Sequence, residues 1–149
     1  MRNKNYLLIL SLLINYSCEN ISKQESISYD SSGKYKTFTE RNSSEIKNGI
    51  YYELNIKNNI FKTIGNYNYD RKNGIWINYY QNGNINNICY YKNDTISGRN
   101  IAFYPDKNIQ YITTYYQNEG NGTQITYYDL PNLIIKSILH FEDGKIVSS

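Results

Sequence analysis

The chain has 149 residues, a formal net charge of +3, 18 tyrosines, two cysteines, one tryptophan and one histidine. A chain of this length buries one modest core, so a single domain is expected. Two of its positive charges, Arg2 and Lys4, sit at the very start. No Lys/Arg cluster remains beyond them to serve nucleic acid or an anionic membrane surface.

Taken in chain order, the first element is the apolar run "YLLILSLLI" from Tyr6 to Ile14. It falls short of the about 20 apolar residues that cross a bilayer. A charged start, a short apolar core and the small Ser17 predict a secretory signal over residues 1–17. Cys18 follows in "LLINYSC", which resembles the lipobox of bacterial lipoproteins. That resemblance implies that the Cys18 thiol takes a diacylglycerol and anchors the protein to a membrane of the bacterial cell envelope. Cys89 is then the one thiol left, and an internal disulfide is excluded. Residues 18–48 are rich in Ser, Lys and Glu and lack apolar periodicity, so they read as a flexible, solvated tether with room for a short strand around "KYKTF".

Residues 49–149 carry a repeat. Segments opening at Gly74, Gly98 and Gly122 are 24 residues apart and superpose at many offsets. Ile77, Ile101 and Ile125 stand three residues after each glycine, followed by the aromatic pairs Tyr79-Tyr80, Phe103-Tyr104 and Tyr127-Tyr128. Asn84-Ile85, Asn108-Ile109 and Asn132-Leu133 come next. A degenerate earlier unit opens at Gly49, and one extra residue is expected in its second half near "IGNYNYD". Each unit has two strand-like halves around a turn, which predicts a β-hairpin. Gly83 supplies positive φ at the first tip, Pro105 and Asn108 shape the second, and Pro131 gives the third a different geometry. The glycine opening each unit is expected to turn the chain between hairpins.

Four such hairpins predict an all-β fold: an antiparallel meander of about eight strands in a single curled sheet. Alternation puts Ile77 and Tyr79 on one face, and a three-residue tip adds Ile85 to them. That face is expected to point inward. Trp76 and the row Tyr80, Tyr104 and Tyr128 occupy the opposite, solvated face. The unit "GIWINYYQNGNI" resembles the MORN-repeat variant found in many bacterial lipoproteins, with Gly74, Trp76, Tyr79, Tyr80, Gly83 and Ile85 at its marked positions. Some proteins of that type are YwqK-type antitoxins, so the resemblance implies protein–protein interaction and, in its specific version, immunity against a toxin.

Catalytic chemistry has little to stand on. His140 in "HFE" lacks the cysteine pair that a zinc deaminase needs, and Cys89 has no histidine near it in sequence. Glu53, Asp70, Glu119 and Asp129 fall in loops or turns, with no spacing that selects a catalytic pair. No enzyme, metal or cofactor is expected. Trp76, Tyr80, Tyr104 and Tyr128 are the candidate binding residues, since exposed aromatics offer contact area with little entropy to lose. The expected partner is another protein, an envelope protein or cognate toxin. A glycan-binding envelope protein and an envelope hydrolase on the same sheet are the alternatives.

Overall fold

A computed structural model describes residues 22–30 and 33–149, so the expected signal peptide and Cys18 lie outside the described residues. The described strands are β1 (Ser22–Asp30), β2 (Gly33–Arg41), β3 (Lys47–Asn55), β4 (Phe61–Asn68), β5 (Arg71–Lys72), β6 (Gly74–Tyr79) and β7 (Ile85–Lys92), then β8 (Thr95–Ile96), β9 (Gly98–Phe103), β10 (Ile109–Tyr116), β11 (Glu119–Gly120), β12 (Gly122–Tyr127), β13 (Ile135–Glu142) and β14 (Lys145–Ser148). All fourteen lie in one sheet, in chain order, with β5, β8 and β11 pairing back onto the strand before them. The fold is therefore an all-β antiparallel meander. It has more strands than the expected eight or so, for two reasons. Short segments split off where the chain steps against its neighbour, and both ends add strands.

One of those additions corrects the sequence reading. Residues 22–30 and 33–41, expected as solvated tether with at most a short strand around "KYKTF", form the nine-residue strands β1 and β2. Alternation in "KYKTFTE" places Tyr35, Thr37 and Thr39 on one side of β2, and these are residues that suit a pleated, half-covered surface. Tyr35 and Thr39 are buried against the sheet.

Successive units are joined by two-residue turns, and their chemistry also differs from expectation. Both central residues have positive φ in Tyr69-Asp70, Asn93-Asp94, Gln117-Asn118 and Asp143-Gly144. This is the primed turn whose twist matches the flanking strands. The unit-opening glycines are not these turns. Gly74, Gly98 and Gly122 take positive φ where the main strand resumes. Across that point Tyr91 faces Ile96 while Ile88 faces Ile101, so the chain has gained two residues on its neighbour.

At the opposite end of each hairpin, the Gly83 amide donates to the Tyr80 carbonyl and the Tyr80 amide to the Asn84 carbonyl. Gly83 has φ +85°. In the second tip Lys107 holds that position at φ +83°, not Asn108 as the sequence suggested. In the third, Leu133 takes it, and the closing bond runs from the Tyr128 amide to the Ile134 carbonyl, so this tip is longer than the first. The structural counterparts of Asn84-Ile85 are accordingly Ile134-Ile135, not Asn132-Leu133. The extra residue of the first unit also lies in its tip, where the Asn55 amide reaches the Ile60 carbonyl, and not near "IGNYNYD". A tip absorbs an added residue, whereas one inserted inside a strand would turn every later side chain to the other face.

Candidate interaction surface

The register assigns the two faces. Trp76 pairs with Cys89, Ile77 with Ile88 and Asn78 with Asn87; one bulged residue, Asn86, then lets Tyr79 face Ile85. Ile77, Tyr79 and Ile85 thus share a face, as their spacing predicted. The second half of that expectation, which face is covered, comes out reversed. The buried side chains Tyr35, Thr39, Trp76, Cys89, Asn100, Ala102 and Thr113 all stand on the Trp76 side.

Trp76 explains much of this. It is 2 % exposed. Its ring lies flat over Gly65, so close that a Cβ there would fall 2.2 Å from it. Tyr51, Tyr67 and Tyr91 surround it at ring-centroid distances of 5.5, 5.2 and 6.1 Å, and the Lys72 ammonium sits 4.4 Å from its centroid. Large aromatic side chains lying across a glycine and small polar neighbours cover this face without a second layer. Burial raises the pKa of the Tyr67, Tyr91 and Tyr111 hydroxyls, and that of Tyr51 most, with a hydrogen bond to Glu53 adding to the effect.

The polar groups on the same face are partnered. Asn78 donates to the Asn87 side-chain oxygen at 2.7 Å, Asn87 to Cys89 Sγ at 3.2 Å, and the Cys89 thiol to Asn100 Oδ1 at 3.5 Å. Desolvation pushes the Cys89 thiol up, which keeps it protonated and able to donate. Cys89 is a packed thiol in a polar chain that crosses neighbouring strands. Its side-chain partners, Asn87 and Asn100, are amides and not bases.

The candidate aromatics separate into different roles. The Tyr80 hydroxyl donates to the Phe103 carbonyl at 2.7 Å, and the Tyr104 hydroxyl donates to the Tyr127 carbonyl at 3.0 Å. These two tyrosines tie one tip to the next. Tyr128 is 48 % exposed, with the Lys136 ammonium 5.8 Å from its ring centroid. Trp76 is packed inside the face. Of the four, only Tyr128 is openly exposed.

The turn ends repeat a second tie that the sequence reading passed over. The Lys72 amide donates to the Asp94 carboxylate and the Asp94 amide donates to the Lys72 carbonyl. Asp70 does the same with Lys47, and Asn118 with Ile96. Asp70, read as a solvated carboxylate, is therefore a staple between units. The recurrence of Asp or Asn two residues after the ends of β4, β7 and β10 was the signal for it.

The opposite face carries the feature that most resembles a site. Ile64, Ile77, Ile88, Ile101, Ile112, Ile125 and Ile138 stand directly opposite one another across β4, β6, β7, β9, β10, β12 and β13. Tyr52 and Phe38 continue the row onto β3 and β2, their rings stacked at 4.9 Å. Toward the tips runs a second row in which Tyr79 faces Ile85, Phe103 faces Ile109 and Tyr127 faces Ile135. Neither row contains a charge. Ile64 to Ile125 are half-buried by their neighbours in the row and Ile138 is exposed, and all the described strands lie in the one sheet below them. Seven strands at about 4.8 Å make a stripe roughly 29 Å long.

His140, on β13, is exposed and has Nδ1 2.9 Å from the Thr123 hydroxyl. Among the described residues no group of three His, Cys, Asp or Glu side chains is placed to hold a metal ion. No helix among them is long and apolar enough to cross a membrane. No family model matches the chain, and no curated protein matches it.

Proposed function

We propose that this chain is a bacterial envelope lipoprotein, anchored through Cys18, whose repeat sheet is a protein-interaction module. The partner protein seats on the isoleucine face. The observation that carries this reading is the in-register row from Ile64 to Ile138, an apolar stripe without a charge that no other described strand covers. An apolar centre with polar surroundings is the usual anatomy of a contact surface. The polar, aromatic face is occupied with holding the repeats together, since its tyrosine hydroxyls and asparagine amides are bonded within the chain. The contact surface is therefore the isoleucine row and not the row of Trp76, Tyr80, Tyr104 and Tyr128. The repeat "GIWINYYQNGNI" keeps its resemblance to the MORN variant, and a cognate toxin is the specific partner that this resemblance suggests.

Two experiments test the parts separately. Expressed in a bacterial host, Cys18→Ser should lose acyl labelling and move from the membrane fraction to the soluble one. Unchanged partition would refute the anchor. A photoreactive residue at Ile85, on the isoleucine face, should form a protein adduct in the envelope, and the same residue at Tyr128 should not. Adducts from Tyr128 alone would return the contact to the aromatic face.

A further inference from the structure

We propose that the isoleucine face is covered by a second copy of the same chain, packed sheet on sheet about a two-fold axis at Ile101. This rests on the reading of that face as the contact surface and names its occupant.

A β-protein is ordinarily two packed layers, because a sheet with one apolar face must bury it against something. Here the described strands make one layer, and its apolar rows meet no other element. A second copy supplies the missing layer, with the two sheets about 10 Å apart and their side chains interleaved.

The row is also built to meet itself. A two-fold interface needs a patch in which residue i contacts j while j contacts i. Ile101 is the central member of the seven, with Ile88, Ile77 and Ile64 on one side and Ile112, Ile125 and Ile138 on the other. Rotation about an axis through Ile101 carries the row onto itself, isoleucine upon isoleucine.

The size fits. The axis at Ile101 overlaps the seven strands β4, β6, β7, β9, β10, β12 and β13 of the two copies. At about 4.8 Å between strands and about six residues of 3.3 Å along each, that face is roughly 29 Å by 20 Å, so the two copies together cover about 1,200 Å², the lower bound of a specific stable interface. Aligned sheets cross at about 30°, so contact is tightest at Ile101 and opens toward Ile64 and Ile138.

The test uses the full lipid-anchored chain in mild detergent, with mass read by sedimentation. Wild type should sediment as two copies. Ile101→Lys places like charges against each other at the axis and should weaken the dimer roughly hundredfold, since such juxtapositions cost several kcal/mol. Ile101→Glu should do the same. Circular dichroism melts check that both remain folded, and Ile101→Ala, which should weaken the dimer at least tenfold, serves if charge unfolds the sheet. An equimolar mixture of the Lys and Glu variants should restore the two-copy species, because the two residues meet at the axis. A monomeric wild type, a dimer indifferent to all three substitutions, or a mixture that stays monomeric overturns the proposal. If the chain is monomeric yet forms a one-to-one complex with a different protein that Ile101→Lys disrupts, the second copy is refuted and the contact surface stands. If neither complex forms, both readings fall.

Discussion

Gly65→Ala asks whether Trp76 is held by the sheet or merely rests on it. Gly65 lies on β4 outside the positive-φ region, so its backbone accepts an L side chain. The obstacle is purely steric: the new Cβ would lie 2.2 and 2.3 Å from two ring carbons of Trp76. The ring has nowhere to go, because Tyr51, Tyr67 and Tyr91 hem it in and the Lys72 ammonium covers it. Overpacking of this kind costs about 1–3 kcal/mol, and a fixed ring puts it at the upper end. Trp76→Ala alone should cost about 3–5 kcal/mol, the usual figure for a large buried aromatic. In the Trp76→Ala background the clash vanishes, and Gly65→Ala should then stabilise by about 0.5 kcal/mol, because glycine inside a strand loses more entropy than alanine. The cycle therefore predicts a coupling of about 3 kcal/mol with a change of sign for the alanine. Urea unfolding followed by far-ultraviolet circular dichroism measures all four species, since Trp76, the chain's one tryptophan, is itself removed. Equal costs for Gly65→Ala in both backgrounds would refute the packing argument.

Three further outcomes follow from local geometry. Lys107→Gly should raise stability by about 1 kcal/mol in the same urea titration, because a non-glycine residue at φ +83° is strained. Asp94→Ala should cost about 1–2 kcal/mol by removing the acceptor of the Lys72 amide, whereas Asp94→Asn should be nearly neutral, as Asn118 fills the same role one unit on. The raised hydroxyls of Tyr51, Tyr67, Tyr91 and Tyr111 make stability depend on alkaline pH. Above the ordinary tyrosine value of about 10 the unfolded chain sheds these protons while the fold retains them, so melting temperature should hold below pH about 10 and fall above it. A flat melting profile from pH 9 to 11, with the tyrosine absorbance near 295 nm titrating as in a peptide, would contradict it.

How much was legible in the sequence depended on whether a feature repeats. The 24-residue period marked the hairpins, and the three-residue tip after Tyr80 led correctly to Ile85 sharing a face with Ile77 and Tyr79. Period-two alternation assigns faces but is blind to which of them is covered. Hydropathy pointed inward with the isoleucines, yet burial depends on side-chain reach. Trp76 folds across Gly65 among Tyr51, Tyr67 and Tyr91, whereas an isoleucine covers only its immediate neighbours. Strand β1 and the full length of β2 were missed, although a short strand around "KYKTF" was allowed, because a polar edge strand differs little in composition from a tether, its partner strand supplying what its own sequence lacks. The left-handed turn residues were misassigned where Lys107 and Leu133 adopt φ that propensity reserves for glycine or asparagine, which is tertiary pairing overriding local preference.

The pattern of irregularity bears on what the repeat has been held to. Across the turn ends, Ile64 to Ile77, Ile88 to Ile101 and Ile112 to Ile125 are each 13 residues apart. Across the tips the corresponding steps are unequal: 11 residues from Ile77 to Ile88 and from Ile101 to Ile112, but 13 from Ile125 to Ile138. The turn ends have no slack because Asp70, Asp94 and Asn118 bond both the amide and the carbonyl of a residue in the preceding unit. The tips lie beyond the last paired residue, so an added residue there changes the loop and leaves the pairing alone. What stays constant through both is that an isoleucine lands opposite an isoleucine. Folding alone asks only that some apolar or β-branched residue occupy these places. Keeping one residue type in register across seven strands, while the tips vary around it, fits a surface whose evenness matters to whatever lies against it.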